Sequence, residues 1–231
     1  MAQPKGFAVD EPGRSPPDFR MRQMFRFLSL VAGLAVTAAP AFAQQFEGVV
    51  TLKLGGAAAA ATVYAKGNRA RYEMAAGPRQ MVMLVDGTGT MTMLMPEQKM
   101  YMVMNLAEQA KKQAATGTME FKKTGKQGNY AGYACEMYTM THPRGEYQSC
   151  ITSQLGFLGA DLTAGSGSGL ISPDDVKRLR AQFPNGYFLL WMSSADGKVL
   201  FEVTKVEKTP VADDRLAVPA GFTEMKRPGQ H

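Results

Sequence analysis

MVMLVDGTGTMTMLMPEQKMYMVM, running from Met81 to Met104, decides how this chain is read. Eight of the 17 methionines lie in it, at Met81, Met83, Met91, Met93, Met95, Met100, Met102 and Met104. They recur at every second residue, the period of a β-strand whose alternate side chains face opposite sides. Turn lengths then fix how the rows align. A four-residue loop Pro96-Glu97-Gln98-Lys99 sets Met95 opposite Met100, Met93 opposite Met102 and Met91 opposite Met104. A three-residue loop Gly87-Thr88-Gly89, with Gly89 left-handed, sets Met83 opposite Met93 and Met81 opposite Met95. In that register all eight thioethers share one face of a three-stranded meander. The other face, with Val82, Leu84, Thr92, Leu94, Tyr101 and Val103, is also largely apolar, so the pattern leaves open which side is inside.

Upstream, residues 21–43 (MRQMFRFLSLVAGLAVTAAPAFA) have the layout of a cleavable signal peptide. Arg22 and Arg26 supply the basic start, Phe27–Ala39 the apolar run and Ala41-Phe42-Ala43 the small-residue cleavage site. An apolar run of that length is too short to span a bilayer as a helix. Residues 1–20, punctuated by Pro4, Pro12, Pro16 and Pro17, read as a disordered extension. The expected mature protein is a single domain over residues 44–231, released into the periplasm after Ala43. The formal charge of +6 for the whole chain falls to +4 without residues 1–43. That mild excess carries no dense basic stripe, which argues against nucleic acid as a partner. Contact with a membrane is expected to be transient at most, and an envelope protein partner belongs to the alternative reading given below.

The only two cysteines, Cys135 and Cys150, sit in strand-like runs, Gly132–Thr141 and Glu146–Thr152, joined by His142-Pro143-Arg144-Gly145. A hairpin brings the two to within about a residue of register, and export supplies the oxidising compartment. A structural disulfide is expected.

Further strands are expected over Phe46–Leu54, Ala61–Lys66, Arg69–Met74, Met119–Thr124, Tyr187–Ser193 and Lys198–Glu207, with tight turns at Gly67-Asn68 and Asp196-Gly197. Helices are expected over Leu106–Ala115, behind Asn105, and from Ser172-Pro173 to about Phe183, with a helical turn at Ser153–Gly159. The order is antiparallel, without βαβ alternation. The fold class expected is therefore α+β: a large, curled, mostly antiparallel sheet, in effect a half-barrel, with two or three covering helices.

Several short segments, in order, resemble the bacterial domain of unknown function 4412 (DUF4412). They are Phe46-Glu47-Gly48, Tyr64-Ala65-Lys66-Gly67-Asn68-Arg69-Ala70-Arg71-Tyr72-Glu73, Pro96-Glu97-Gln98-Lys99-Met100-Tyr101, Ala131-Gly132-Tyr133-Ala134-Cys135-Glu136-Met137-Tyr138 and Val218-Pro219-Ala220-Gly221-Phe222. That family is similar to the periplasmic lipoprotein carriers LolA and LolB. The resemblance implies an apolar cavity between a curled sheet and helices, and it implies no catalytic residue.

Signals for catalysis are missing. There is no G-x-S-x-G elbow, H-E-x-x-H pair or P-loop. A Ser-His-Asp site would need His142, which is expected in a turn beside Pro143. Asp174-Asp175 suits a helix start, Asp213-Asp214 a solvated turn, and Arg69 and Arg71 a solvated face. Trp191, in an apolar run, suits a strand covered on both sides. The expectation is a non-catalytic domain without cofactor or metal, binding a lipid-like or other apolar ligand in a groove lined by the eight methionines. A structural or interaction domain of the cell envelope without small ligand stays open as an alternative. So does Cu(I) binding by thioethers, the soft ligands that select that ion.

Overall fold

Alternation of apolar and polar residues builds most of this protein. In the computed structural model, the described residues are 45–55, 59–76, 79–86, 89–105, 119–142, 145–158 and 173–225. Twelve strands are formed: β1 (Glu47–Leu54), β2 (Ala59–Lys66), β3 (Arg69–Ala76), β4 (Arg79–Val85), β5 (Thr90–Met95), β6 (Met100–Asn105), β7 (Glu120–Tyr130), β8 (Tyr133–His142), β9 (Gly145–Thr152), β10 (Phe188–Ser194), β11 (Val199–Glu207) and β12 (Thr223–Glu224). They make one open sheet in the order β12-β6-β5-β4-β3-β2-β1-β11-β10-β9-β8-β7. Neighbours are antiparallel except β12, which runs parallel to β6. Two meanders are thus joined at the centre, where β1 pairs with β11.

The expected α+β half-barrel with two or three covering helices is not what forms. Among the described residues there is one α-helix, α1 (Pro173–Gln182), beside two short 3-10 turns. The helix start at Pro173 and its end one residue short of Phe183 agree with the sequence signals. The helix expected over Leu106–Ala115 and the cap at Ser172 lie outside the described residues, as do residues 1–44. The helical turn expected at Ser153–Gly159 is absent for a clear reason. Phe157 is drawn into a parallel bridge with Gln45, its carbonyl accepting from the Phe46 N–H at 3.0 Å. Ser153 to Gly156 close instead as a tight turn, with Gly156 left-handed at φ 74°.

The β7 end of the sheet folds back over one face. Five consecutive strands, flat, would hold β7 and β11 about 19 Å apart, yet their Cα atoms approach within 8 Å. The Tyr130 and Trp191 rings, on strands three places apart, stack at 5.6 Å. A bulge in β7 between Lys123 and Gln127, with Gly125 at φ 78°, supplies the bend. Within the roll, a single apolar cluster runs from Met104 through Tyr72, Val63, Val50 and Val203 to Phe188 and Cys150.

The opposite face is covered in two pieces. Leu179 of α1 packs with Tyr138, Met140, Ile151, Tyr187 and Leu189. At the other end Val218 and Phe222 lie on Val82, Leu84 and Leu94. They belong to a C-terminal strap whose 3-10 turn Asp213–Leu216 buries Leu216. The strap is tied to β2 and β3 by polar contacts. Lys66 (3.0 Å) and Arg69 both pair with Asp213. Arg215 lies over the Tyr64 ring at 4.3 Å and donates to its hydroxyl at 2.8 Å. Lys66, then Arg69, hold the Asp213 carboxyl below its ordinary range. Arg71 pairs with Glu73 at 2.6 Å. Arg69 thus serves the strap from the solvated face that was expected, its side chain 41 % exposed, whereas Arg71 is drawn in against Glu73.

Two predictions follow from packing. A Cβ on Gly48 would collide with the Glu207 carbonyl and stand 2.8 Å from the Phe46 ring, which itself meets Phe188 edge-on at 5.2 Å. Gly48→Ala should therefore cost about 2 kcal/mol or more of unfolding free energy in a urea titration; a loss under about 0.5 kcal/mol, typical of open surface, contradicts this packing. The second concerns alkali. Burial, then the hydrogen bond to Glu136, pushes Tyr138 up to about 12, and burial raises Tyr187 as well. Folding favours their protonated forms, so this stabilisation is complete below the ordinary tyrosine value of 10.0 and is lost as pH climbs toward about 12. Ultraviolet titration should show late tyrosinates, among them those of Tyr138 and Tyr187, whose appearance coincides with unfolding; smooth ionisation of all tyrosines near 10 contradicts the packing under α1.

Candidate functional site

The methionines form rungs across neighbouring strands on the inner face of the roll. Met91 pairs with Met104, Met93 with Met102 and Met95 with Met100. Met83 pairs with Met93 across the β4–β5 turn, where Gly89 is left-handed at φ 83°. All of these are the pairs the turn lengths predicted. The one difference is at the end: the β4–β5 ladder stops at Val82 and Leu94, so Met81 and Met95 lie one step beyond it. Met81 is instead laddered to Met74 of β3. Met74 therefore joins the face, unnoticed in the sequence. The signal was there in the sequence: only two residues, Gly77 and Pro78, separate Ala76 from Arg79, a spacing and composition that suit a tight hairpin.

Burial along the rungs is graded. Met83, Met91 and Met104 are 4, 6 and 8 % exposed. Met74, Met93 and Met102 are half-buried and pack against the same core. Met95 and Met100 are half-buried, and Met81 reaches 38 % exposure. The face is thus sealed at the β5–β6 end nearest Met91 and open at the end nearest Met81. All eight predicted methionines lie on one face by strand parity, and they differ in how far the core has already claimed them.

Farther round the roll the lining turns aromatic. Trp191 is half-buried on the inner face against Tyr130, whose hydroxyl is pushed up by burial and then by the Glu202 carboxylate. Beneath them lies the Cys135–Cys150 disulfide, with Cα atoms 5.5 Å apart. Cys150 stands opposite Met137, so the cysteines are offset by two residues where about one was expected. The twist of the hairpin draws one diagonal together and makes that offset bridgeable. Gly128 provides the room: a Cβ there would come within 2.9 Å of the Cys150 sulfur. His142 ends β8 as a buried residue paired with Gly145, not as an open turn residue. The disulfide fits an extracellular or periplasmic protein, and no helix among the described residues is long and apolar enough to cross a membrane.

Because Trp191 is the cross-strand partner of Cys150, the disulfide should quench its emission. Cys135→Ala/Cys150→Ala should give a brighter tryptophan band and lose about 3 kcal/mol of stability, the entropy of a loop of this length. Unchanged intensity in the folded variant places the ring away from the sulfurs.

No curated protein matches the sequence. Two solved structures, of PNGF-II in P21 and in C2 space groups, are similar over 79 % and 78 % of this chain, each at 15 % identity and a TM-score of 0.45. This chain spans 31 % and 30 % of their lengths, and a likeness so slight carries no weight for function. The family comparison is of another order, since one family model matches residues 46–222, from the phenylalanine beside Gly48 to Phe222 within the strap. The chain belongs to the family described as Domain of unknown function (DUF4412).

Proposed function

We propose that this is an exported, non-catalytic domain that takes an apolar or lipid-like ligand along its methionine face, working in the periplasm after removal of residues 21–43. The observation that carries this reading is the half-burial of Met74, Met93 and Met102 beside a sealed row of Met83, Met91 and Met104. These three large apolar side chains are partly uncovered, as contact with an apolar ligand requires. Methionine suits such a task because its unbranched thioether chain reshapes itself around flexible apolar partners. The aromatic pair Tyr130–Trp191 extends the lining. The expected likeness of the family, DUF4412, to the periplasmic lipoprotein carriers points the same way. No helical lid is part of this proposal.

Native mass spectrometry and lipid extraction of protein purified from the exported fraction test it. The expected result is a co-purifying apolar species, and binding of a hydrophobic fluorescent probe to the stripped protein. Met93→Asp/Met102→Asp should weaken the probe at least about tenfold, because a carboxylate in an apolar lining costs several kcal/mol. Neither species nor probe binding in the folded wild type would favour an envelope interaction domain without small ligand.

A further inference from the structure

The inner-face methionines of β3 to β6 fall into two groups. Six of them, Met74, Met83, Met91, Met93, Met102 and Met104, belong to or pack against the main apolar cluster. Met81, Met95 and Met100 belong to none of the described clusters. These three are also together. Met95 is laddered to Met100, and Met81 stands one step past the last β4–β5 pair, on the side of Met95. They occupy one rung over three adjacent strands, at the open end of the face, with Met81 the most exposed.

We propose that Met81, Met95 and Met100 form a three-thioether site for a soft monovalent cation, Cu(I), for which Ag(I) is a redox-inert probe. Thioether sulfur is a neutral soft donor that selects Cu(I) over harder divalent ions. Strands stand about 4.8 Å apart, so a cation above Met95 requires each flanking side chain to lean across one strand spacing. The unbranched methionine chain, with its three rotatable bonds, makes that movement readily. None of the three belongs to the main apolar cluster, so gathering them leaves its packing intact. A thioether has no proton to lose, so binding releases none. Affinity is therefore flat across the range where imidazole or thiolate sites lose metal to protons.

This site does not depend on the apolar-ligand reading, and leucine separates the two, being apolar and of similar volume but without a donor. Ag(I) titration of the purified protein against a competing chelator, at pH 5 and pH 8, is the experiment. One Ag(I) per chain is expected, with equal affinity at both pH values. Loss of a supporting group around a metal costs about 10–100-fold, so removing the ligands themselves in Met81→Leu/Met95→Leu/Met100→Leu should cost at least about 100-fold. Met95→Leu alone, the central arm, should weaken binding as a single change with the least effect on folding. Met93→Leu/Met102→Leu, on the packed rung, should bind Ag(I) like the wild type, and circular dichroism should show all variants folded. The proposal is overturned by a wild type that does not compete for Ag(I), by a folded triple variant that binds unchanged, or by equal losses in the packed-rung variant.

Discussion

Cross-strand register between β3 and β6 is the constraint on which the rest of this structure depends. Side chains on a strand alternate strictly, so a slip of one residue would send every methionine of a strand to the opposite face. The slip is prevented locally by the turns: Lys99 left-handed at φ 51° after the Pro96–Gln98 turn, and Gly89 left-handed before β5. It is prevented again by what waits on the other side. Val82, Leu84 and Leu94 are buried beneath Val218 and Phe222, and a slipped strand would offer that strap thioethers in place of branched side chains. Both faces of the meander are therefore claimed. That settles the ambiguity left by its two apolar rows.

How much of this was legible in the sequence divides along the distance between partners. The methionine pairs were legible because parity and loop length are local properties, and the tight turns at Gly67-Asn68 and Gly197 form for the same reason. The cysteine partnership was legible, while its two-residue offset was not, since strand twist is not written in spacing. Two larger features were invisible. Lys122 to Asn129 is polar and glycine-rich, yet it continues β7 because β8 supplies hydrogen-bond partners. Residues 211–225 form the strap over β2 to β6, held by contacts such as Lys66–Asp213 at a separation of 147 residues, which no local pattern announces. The expectation of several covering helices failed in the same way. Capping signals mark where a helix is able to start, and tertiary demand, as at Phe157, decides whether one forms.

The candidate site repeats the division. Its side chains were named from the sequence because period two put them on one face. Their ranking was not, because burial depends on Phe46, Val50 and Phe188 arriving from distant strands. What distinguishes Met93 from Met81 is how much of each those neighbours already hold. The family's Phe46-Glu47-Gly48 segment gains a physical meaning in the same terms. Gly48 admits the Glu207 carbonyl and the Phe46 ring at once, and Glu47 accepts from the Val211 N–H at 3.0 Å where the strap begins.

The pairing of β1 with β11 has a consequence for biogenesis. These two strands meet at the middle of the sheet although they lie some 153 residues apart in the chain. A polypeptide emerging from its N-terminus finishes the β1–β6 ribbon early and then holds a bare strand edge until β11 arrives. Such long-range closure is slow, and an unfinished edge invites pairing with other chains. The newly made protein thus has an aggregation-sensitive interval set by its topology, and a chaperone that masks the β1 edge would protect it during that interval.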